Sequence, residues 1–227
     1  MRKIIIIPAR YGSSRFEGKP LALIAGVPMI IRVCNRLRPL GIPIVVATDD
    51  KRIYDTVLFA GFDSRMTGEC KSGTDRVFEA ACHLPEADIY INVQGDEPLV
   101  DPKDVEKLIK VKESDMGFII GSYTFIKEGE VENEDIVKVR VDSYGNLTEI
   151  TRKSINTPYR QCGLYVFTKQ ELKEFVNSAI SERERIELTR VIDCIRMVLI
   201  GDGQAVDRPE DIKKIEEAIY GAEDSES

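Results

Sequence analysis

The sequence predicts an α/β fold built on a mixed, mostly parallel sheet. Three observations point there. Ile4-Ile5-Ile6-Ile7 is a run of β-branched residues without polar alternation, the pattern of a strand buried on both faces. Apolar runs of that kind alternate along the chain with segments whose apolar residues recur at helical spacing. Later, residues 136–141 alternate with period two, turn at 142–146 and return as 147–152. That is a hairpin, so part of the sheet is antiparallel.

The first strand stops at Pro8 and opens the loop Ala9-Arg10-Tyr11-Gly12-Ser13-Ser14-Arg15-Phe16-Glu17-Gly18-Lys19-Pro20. A loop at the carboxyl end of a central parallel strand is where α/β proteins bind ligands. Arg10, Arg15 and Lys19 there predict a polyanion, most simply a nucleoside triphosphate. The loop is not a P-loop: five residues separate Gly12 from Gly18, and Pro20 follows Lys19 where a magnesium-binding hydroxyl would stand. Metal ligands must come from elsewhere. A surface loop with scattered cations is the plain alternative.

Residues 29–37 read as a helix with Pro28 at its first turn, ended by Pro39 and Gly41. Residues 42–48 form a second buried strand, and Thr48 or Asp49 caps a helix over 50–60. Gly61 and Phe62 turn the chain. Ser72-Gly73-Thr74-Asp75-Arg76 begins a helix over 77–84, with free N–H groups for a phosphate or a base edge, or with an ordinary cap. The third strong strand, Ile89-Tyr90-Ile91-Asn92-Val93, runs into Gln94-Gly95-Asp96-Glu97-Pro98. A carboxylate at that edge suits Mg²⁺, which takes oxygen ligands together with substrate phosphates. A helix follows from Asp101-Pro102 to Val111, then a strand over 118–123 and an acidic loop over 128–135. Residues 158–161 read as a loop, 162–167 as a strand and 169–176 as a helix. Ser181 and Glu184 form a loose capping box before a helix carrying Ile186, Val191, Ile192 and Ile195 toward the core. Asp207 stands before Pro209 at the start of the last helix, and residues 221–227 read as a disordered tail.

Composition narrows the classes. The 227 residues are 43% hydrophobic, enough for one large domain or two small ones, and no repeat or linker divides them. A net charge of −7 argues against general nucleic-acid binding, yet Arg2, Lys3, Arg10, Arg15 and Lys19 face only Glu17 in the first twenty residues. Five scattered cysteines without a CxxC pair suit reduced thiols in a cytoplasm. No apolar stretch reaches membrane-spanning length and no signal peptide is expected. One histidine, His83, excludes a histidine-rich metal site, makes a Ser-His-Asp triad a poor reading, and itself reads as a helix-end residue. No G-x-G-x-x-G follows the first strand, against an NAD enzyme.

Taken together, Pro8-Ala9-Arg10 through Arg15, Gly18-Lys19-Pro20-Leu21, Ala47-Thr48-Asp49, Ser72 to Arg76, Asn92 to Pro98, Gly163-Leu164-Tyr165 and Val206 to Asp211 closely resemble the CMP-Kdo synthetase (3-deoxy-manno-octulosonate cytidylyltransferase) family over nearly the full length. The resemblance implies a single Rossmann-like nucleotidyltransferase domain of the nucleotide-diphospho-sugar transferase type. It implies a homodimer with the hairpin region, about 117–168, at its interface. It also implies CTP and a 2-keto sugar acid as substrates, and a part in lipopolysaccharide biosynthesis. Pro8, Ala9, Arg10, Ser13, Arg15, Lys19, Ser72, Gly73 and Gln94 are then nucleotide contacts. Arg10, Lys19, Asp96 and Asp207 are catalytic, with Asp96 and Asp207 on Mg²⁺. Arg152, Gln161, Tyr165, Glu187 and Arg190 face the sugar. Departures fall in the sugar half. Gln161 stands where the family usually has histidine, and Arg190-Val191 where it has Glu-Gln. The resemblance gives Kdo or a Kdo-like acid as acceptor, while the departures suggest that CTP use is kept and the acid is a different one: 8-amino-Kdo, or another nonulosonate-like or octulosonate-like sugar. Rival readings are a cytidylyltransferase for sialic or pseudaminic acid, and a CTP-binding regulatory protein without turnover.

Overall fold

A computed structural model describes residues 1–13, 15–178, 186–201 and 204–226, with backbone alone for 222–226. The strands are β1 (Lys3–Ala9), β2 (Leu23–Ile24), β3 (Val27–Pro28), β4 (Ile44–Thr48), β5 (Asp63–Met66), β6 (Ile89–Val93), β7 (Ile119–Phe125), β8 (Lys138–Val141), β9 (Leu147–Thr151), β10 (Tyr159–Phe167) and β11 (Ile195–Leu199). The helices are α1 (Met29–Leu37), α2 (Lys51–Phe59), α3 (Gly73–Cys82), α4 (Pro102–Ser114), α5 (Lys169–Asn177) and α6 (Asp211–Glu226).

The main sheet runs β11-β7-β10-β6-β1-β4-β5, with β8 and β9 appended through β10. β6, β1, β4 and β5 are mutually parallel, and β11 is parallel to β7. β10 runs antiparallel to β6, β7 and β8. The isoleucine run explains the layers. Ile5 and Ile7 point into a core shared with α1, α2 and α4. Ile4 and Ile6 point into the opposite core, with α3 and α5. From β1 the chain moves outward to β4 and β5, then returns to place β6 on the other side of β1. That reversal opens a crevice at the carboxyl ends of β1 and β6. Gly95 lets the two ends meet: a Cβ there would lie 3.0 Å from the Pro8 carbonyl oxygen and 3.1 Å from Ile30 Cδ1.

Several elements differ from the sequence reading. Asp50, rather than Thr48 or Asp49, caps α2 by accepting the Arg52 N–H. β5 is a polar edge strand, half to fully exposed, and so carries neither an apolar run nor alternation. Residues 159–161 belong to β10 instead of a loop, because Tyr159 packs on Tyr123 and Phe125 of β7. The helix expected over 186–195 is absent. Residues 187–190 and 192–194 are short 3-10 turns, and β11 covers the edge of β7 with Ile195 and Met197 in the core. Tertiary pairing overrides helical spacing there. The capping-box residues Ser181 and Glu184 lie outside the described residues. α6 continues through 221–226, where a disordered tail was expected; extending a formed helix carries no new nucleation cost. His83 caps the end of α3.

Gly95→Ala should lower stability by about 2 kcal/mol, as overpacking against backbone does. A urea midpoint equal to wild type would contradict the close approach of β1 and β6.

Candidate active site

Distant segments reach the crevice for identifiable reasons. After β1, the loop closes with the Gly18 N–H donating to the Tyr11 carbonyl at 2.9 Å. Gly18 has φ 71°, and a Cβ there would touch the Tyr11 ring at 3.1 Å. Lys19 starts the next turn and donates from Nζ to Asp96 Oδ2 at 2.6 Å and to the Val206 carbonyl at 2.8 Å. The Val206 N–H returns a bond to the Asp96 carbonyl at 2.9 Å. Val206 itself is buried with Ile24, Met29 and Ile215. Asp211 then accepts the N–H groups of Asp207 and Arg208 at 3.0 and 2.9 Å. In this way the start of α6 is bolted to the end of β6.

Two cavities meet at this junction. The first, about 470 Å³, is lined by Pro8, Ala9, Arg10, Ser13, Arg15, Lys19, Ser72, Gly73, Gln94, Asp96, Glu187 and Asp207, among others. The second, about 370 Å³, is lined by Arg152, Gln161, Tyr165, Glu97 and Asp135, and shares Arg15, Gln94, Asp96, Glu187 and Asp207 with the first. All the nucleotide-site and metal candidates of the sequence thus line the first cavity. Of the sugar-site candidates, Arg152, Gln161, Tyr165 and Glu187 line the second.

Arg190 does not. Its side chain is buried and grips Asp75 of α3 with both terminal nitrogens, at 3.0 and 3.1 Å, over the Phe175 ring. Its charge is spent on tying the 187–190 turn to α3. Two of the N–H groups expected at the start of α3, those of Gly73 and Asp75, are also taken. Ser72 Oγ accepts from Asp75, and Glu187 accepts from Gly73 N–H at 3.1 Å and from the Thr74 hydroxyl.

The charges are paired across the junction. Arg15 meets Asp207 at 3.1 Å and Asp135 at 3.4 Å, while Lys19 holds Asp96. Arg10 is exposed and makes no ion pair among the described residues. Arg152 holds the carbonyls of Glu134 and Asp135, which ties the acidic loop over the second cavity. Gln161 donates to the Tyr165 hydroxyl, and its Oε1 is buried without a hydrogen-bond partner among the described residues. Among the described residues no group of three His, Cys, Asp or Glu could hold a metal. A cation here would have Asp96 and Asp207 plus oxygens from its substrates, a donor set that fits Mg²⁺.

Glu97 and Arg76 received no role in the sequence reading. Glu97 is 5% exposed and accepts the Gly163 N–H at 2.9 Å. Burial, with Asp96 beside it, pushes its carboxyl up to about 7. The adjacent acids of Asp96-Glu97 were the available signal. Arg76 is buried, pairs with Asp49 at 2.6 Å and lines the first cavity.

A profile of the cytidylyltransferase family matches residues 4–202. The chain is 36% identical to the 3-deoxy-manno-octulosonate cytidylyltransferase of Desulfatibacillum aliphaticivorans, covering 95% of this chain and 98% of the relative. Identity to the enzyme of the same name from Chlamydia trachomatis serovar A is also 36%, over 96% and 94%. The solved structure of CMP:2-keto-3-deoxy-manno-octonic acid synthetase complexed with CTP superposes with a TM-score of 0.90, at 33% identity, over 98% of this chain and all of that one. A Bacillus anthracis structure assigned as a glucose-1-phosphate thymidylyltransferase, solved with sucrose, shares the fold alone, at TM-score 0.72 and 15% identity over 95% and 94%.

Because the Glu97 carboxyl is raised from its ordinary 4.5 to about 7, the fold favours its protonated form. The contribution, about 3 kcal/mol, is fully present below pH 4.5 and is lost as pH rises through 7. With divalent metal chelated, Glu97→Gln should flatten the fall in urea midpoint between pH 5 and pH 8. An unchanged slope would place the titration elsewhere.

Proposed function

The chain belongs to the 3-deoxy-manno-octulosonate cytidylyltransferase family, and we propose that it transfers CMP from CTP to the anomeric hydroxyl of Kdo, releasing pyrophosphate. One observation supports this most: Asp96 and Asp207 line both cavities, so groups bound in each would meet between the two carboxylates.

In this reading the triphosphate lies along Arg10, Ser13, Arg15 and Lys19. The cytosine sits against Ala9, Ser72, Gly73 and Gln94, beside Pro8. The acceptor occupies the second cavity, its carboxylate facing Arg152 and its hydroxyls facing Gln161, Tyr165 and Glu187. The sugar's hydroxyl attacks the α-phosphorus in line, and pyrophosphate leaves toward the cationic loop. No enzyme nucleophile is needed. The side chains supply orientation and charge neutralisation. Mg²⁺, held by Asp96 and Asp207, would neutralise phosphate charge and make the acceptor hydroxyl more acidic. Arg15 and Lys19, which now balance those aspartates, are then free to face phosphate.

A second acceptor reading has one observation in its favour. Gln161 places an unpartnered, buried oxygen in the acceptor wall, which suits an extra donor such as the amine of an 8-amino acid. Incubation with [α-³²P]CTP and a panel of Kdo, its 8-amino relative, sialic acid and pseudaminic acid separates these. We also propose a homodimer formed through the hairpin region, where Phe125 is 56% exposed. No helix among the described residues is long and apolar enough to cross a membrane, and we propose a cytoplasmic site of action.

Asp96→Asn should lower CMP transfer roughly 100-fold to 1000-fold while leaving the circular dichroism spectrum unchanged. Near-normal radiolabelled product from that variant would overturn the assignment of Asp96.

A further inference from the structure

The geometry points to a positioning role for Glu187: it fixes which way the Gln94 amide faces and thereby selects cytosine over uracil. This rests on the reading that the base lies against Gln94. Glu187 Oε1 accepts the Gly73 N–H at 3.1 Å, and Oε2 accepts the Thr74 hydroxyl. A carboxylate only accepts hydrogen bonds. The Thr74 proton is therefore committed to Glu187, and Thr74 Oγ1 is left to accept. Asn92 Nδ2 donates to it at 3.1 Å. That turns Asn92 Oδ1 toward Gln94, whose Nε2 donates to it at 3.4 Å. Gln94 Oε1 remains, with no partner among the described residues, in a side chain that lines both cavities.

Every link thus points the same way, from Gln94 to Asn92 to Thr74 to Glu187. Thr74 and Asn92 are fully buried, so bulk water cannot reorder the middle of the chain. The end that reaches the cavity is an acceptor. Cytosine offers an exocyclic N4 amine as donor, whereas uracil offers an oxygen at the same position. A mispaired polar edge in such a site lowers affinity roughly tenfold to hundredfold.

Replacing one oxygen should reverse the chain. In Glu187→Gln the Gly73 N–H still requires the oxygen, so the new NH₂ falls on Thr74 and donates to Oγ1. Thr74 then donates onward to Asn92 Oδ1. Asn92 turns its NH₂ toward Gln94 Oε1, and Gln94 presents Nε2 to the cavity. Thr74→Val cuts the chain without reversing it.

The test is calorimetric titration of the intact protein with CTP and with UTP, each with Mg²⁺ and without acceptor. That leaves the acceptor contacts of Glu187 out of the measurement. Wild type should prefer CTP. Glu187→Gln should reduce the CTP-to-UTP affinity ratio by at least about tenfold, with UTP binding more tightly than to wild type. Thr74→Val should lower the ratio without improving UTP. If both variants keep the wild-type ratio, or weaken CTP and UTP equally, the proposal fails. Gln94→Ala separates the two layers. A ratio lost in Gln94→Ala but kept in Glu187→Gln sinks the relay alone. A ratio unchanged in Gln94→Ala sinks the placement of the base, and the relay with it.

Discussion

The architecture of the crevice depends on one ammonium group. Lys19 Nζ joins the end of the first loop to Asp96 and to Val206, residues far apart in sequence. The pair with Asp96 is only 16% and 29% exposed, so water screens it less than a surface ion pair. The bond to the Val206 carbonyl adds a constraint a simple ion pair lacks. It fixes the height of the 204–210 segment over the sheet, and the Val206 N–H locks that height from the other side through the Asp96 carbonyl. Asp207 is thus delivered to the junction by backbone geometry before any ligand contributes.

The same junction balances the charge of the two carboxylates that line both cavities. Each has its own cation from the loop after β1, Lys19 for Asp96 and Arg15 for Asp207. Arg15 is 45% exposed and therefore held weakly, and it also reaches Asp135 of the acidic loop. An anion entering the first cavity would compete with Asp207 and Asp135 for this guanidinium. Arg10 is already turned to solvent and has no ion-pair partner among the described residues to give up.

What the sequence disclosed follows from how locally each feature is encoded. The isoleucine run of β1, the apolar stripe of α1 and the turn chemistry of the β8–β9 hairpin are written in consecutive residues, and each appears where expected. So do the loops after β1 and β6, because strand-end position follows once the strands are recognised. Arg190 was illegible because its partner, Asp75, lies on α3, far away in sequence, and nothing near residue 190 announces it. β11 was misread for a related reason. Its residues satisfy helical spacing, and only the open edge of β7 decides between the two. β5 left no signal, since an edge strand needs no apolar face.

The wall of the second cavity shows why the two halves of the crevice can differ in sequence without disturbing each other. β10 slips register against β7 between Cys162 and Tyr165, a bulge that turns residues 161–163 into the second cavity. The bulge is possible because residue 163 is glycine: a Cβ would lie 2.4 Å from Gln94 Cγ and 2.7 Å from Glu97 Oε1. Its freed N–H goes to Glu97, so a buried carboxyl satisfies the donor that the slipped ladder abandons. Gly163 therefore separates the Gln94 amide, which lines both cavities, from the Gln161 and Tyr165 side chains of the second. Gln161, still in register with Tyr123 just before the irregular stretch, can change its hydrogen-bonding character while Gln94 keeps its place. Position 163 cannot change on its own, because any side chain there presses on both halves at once.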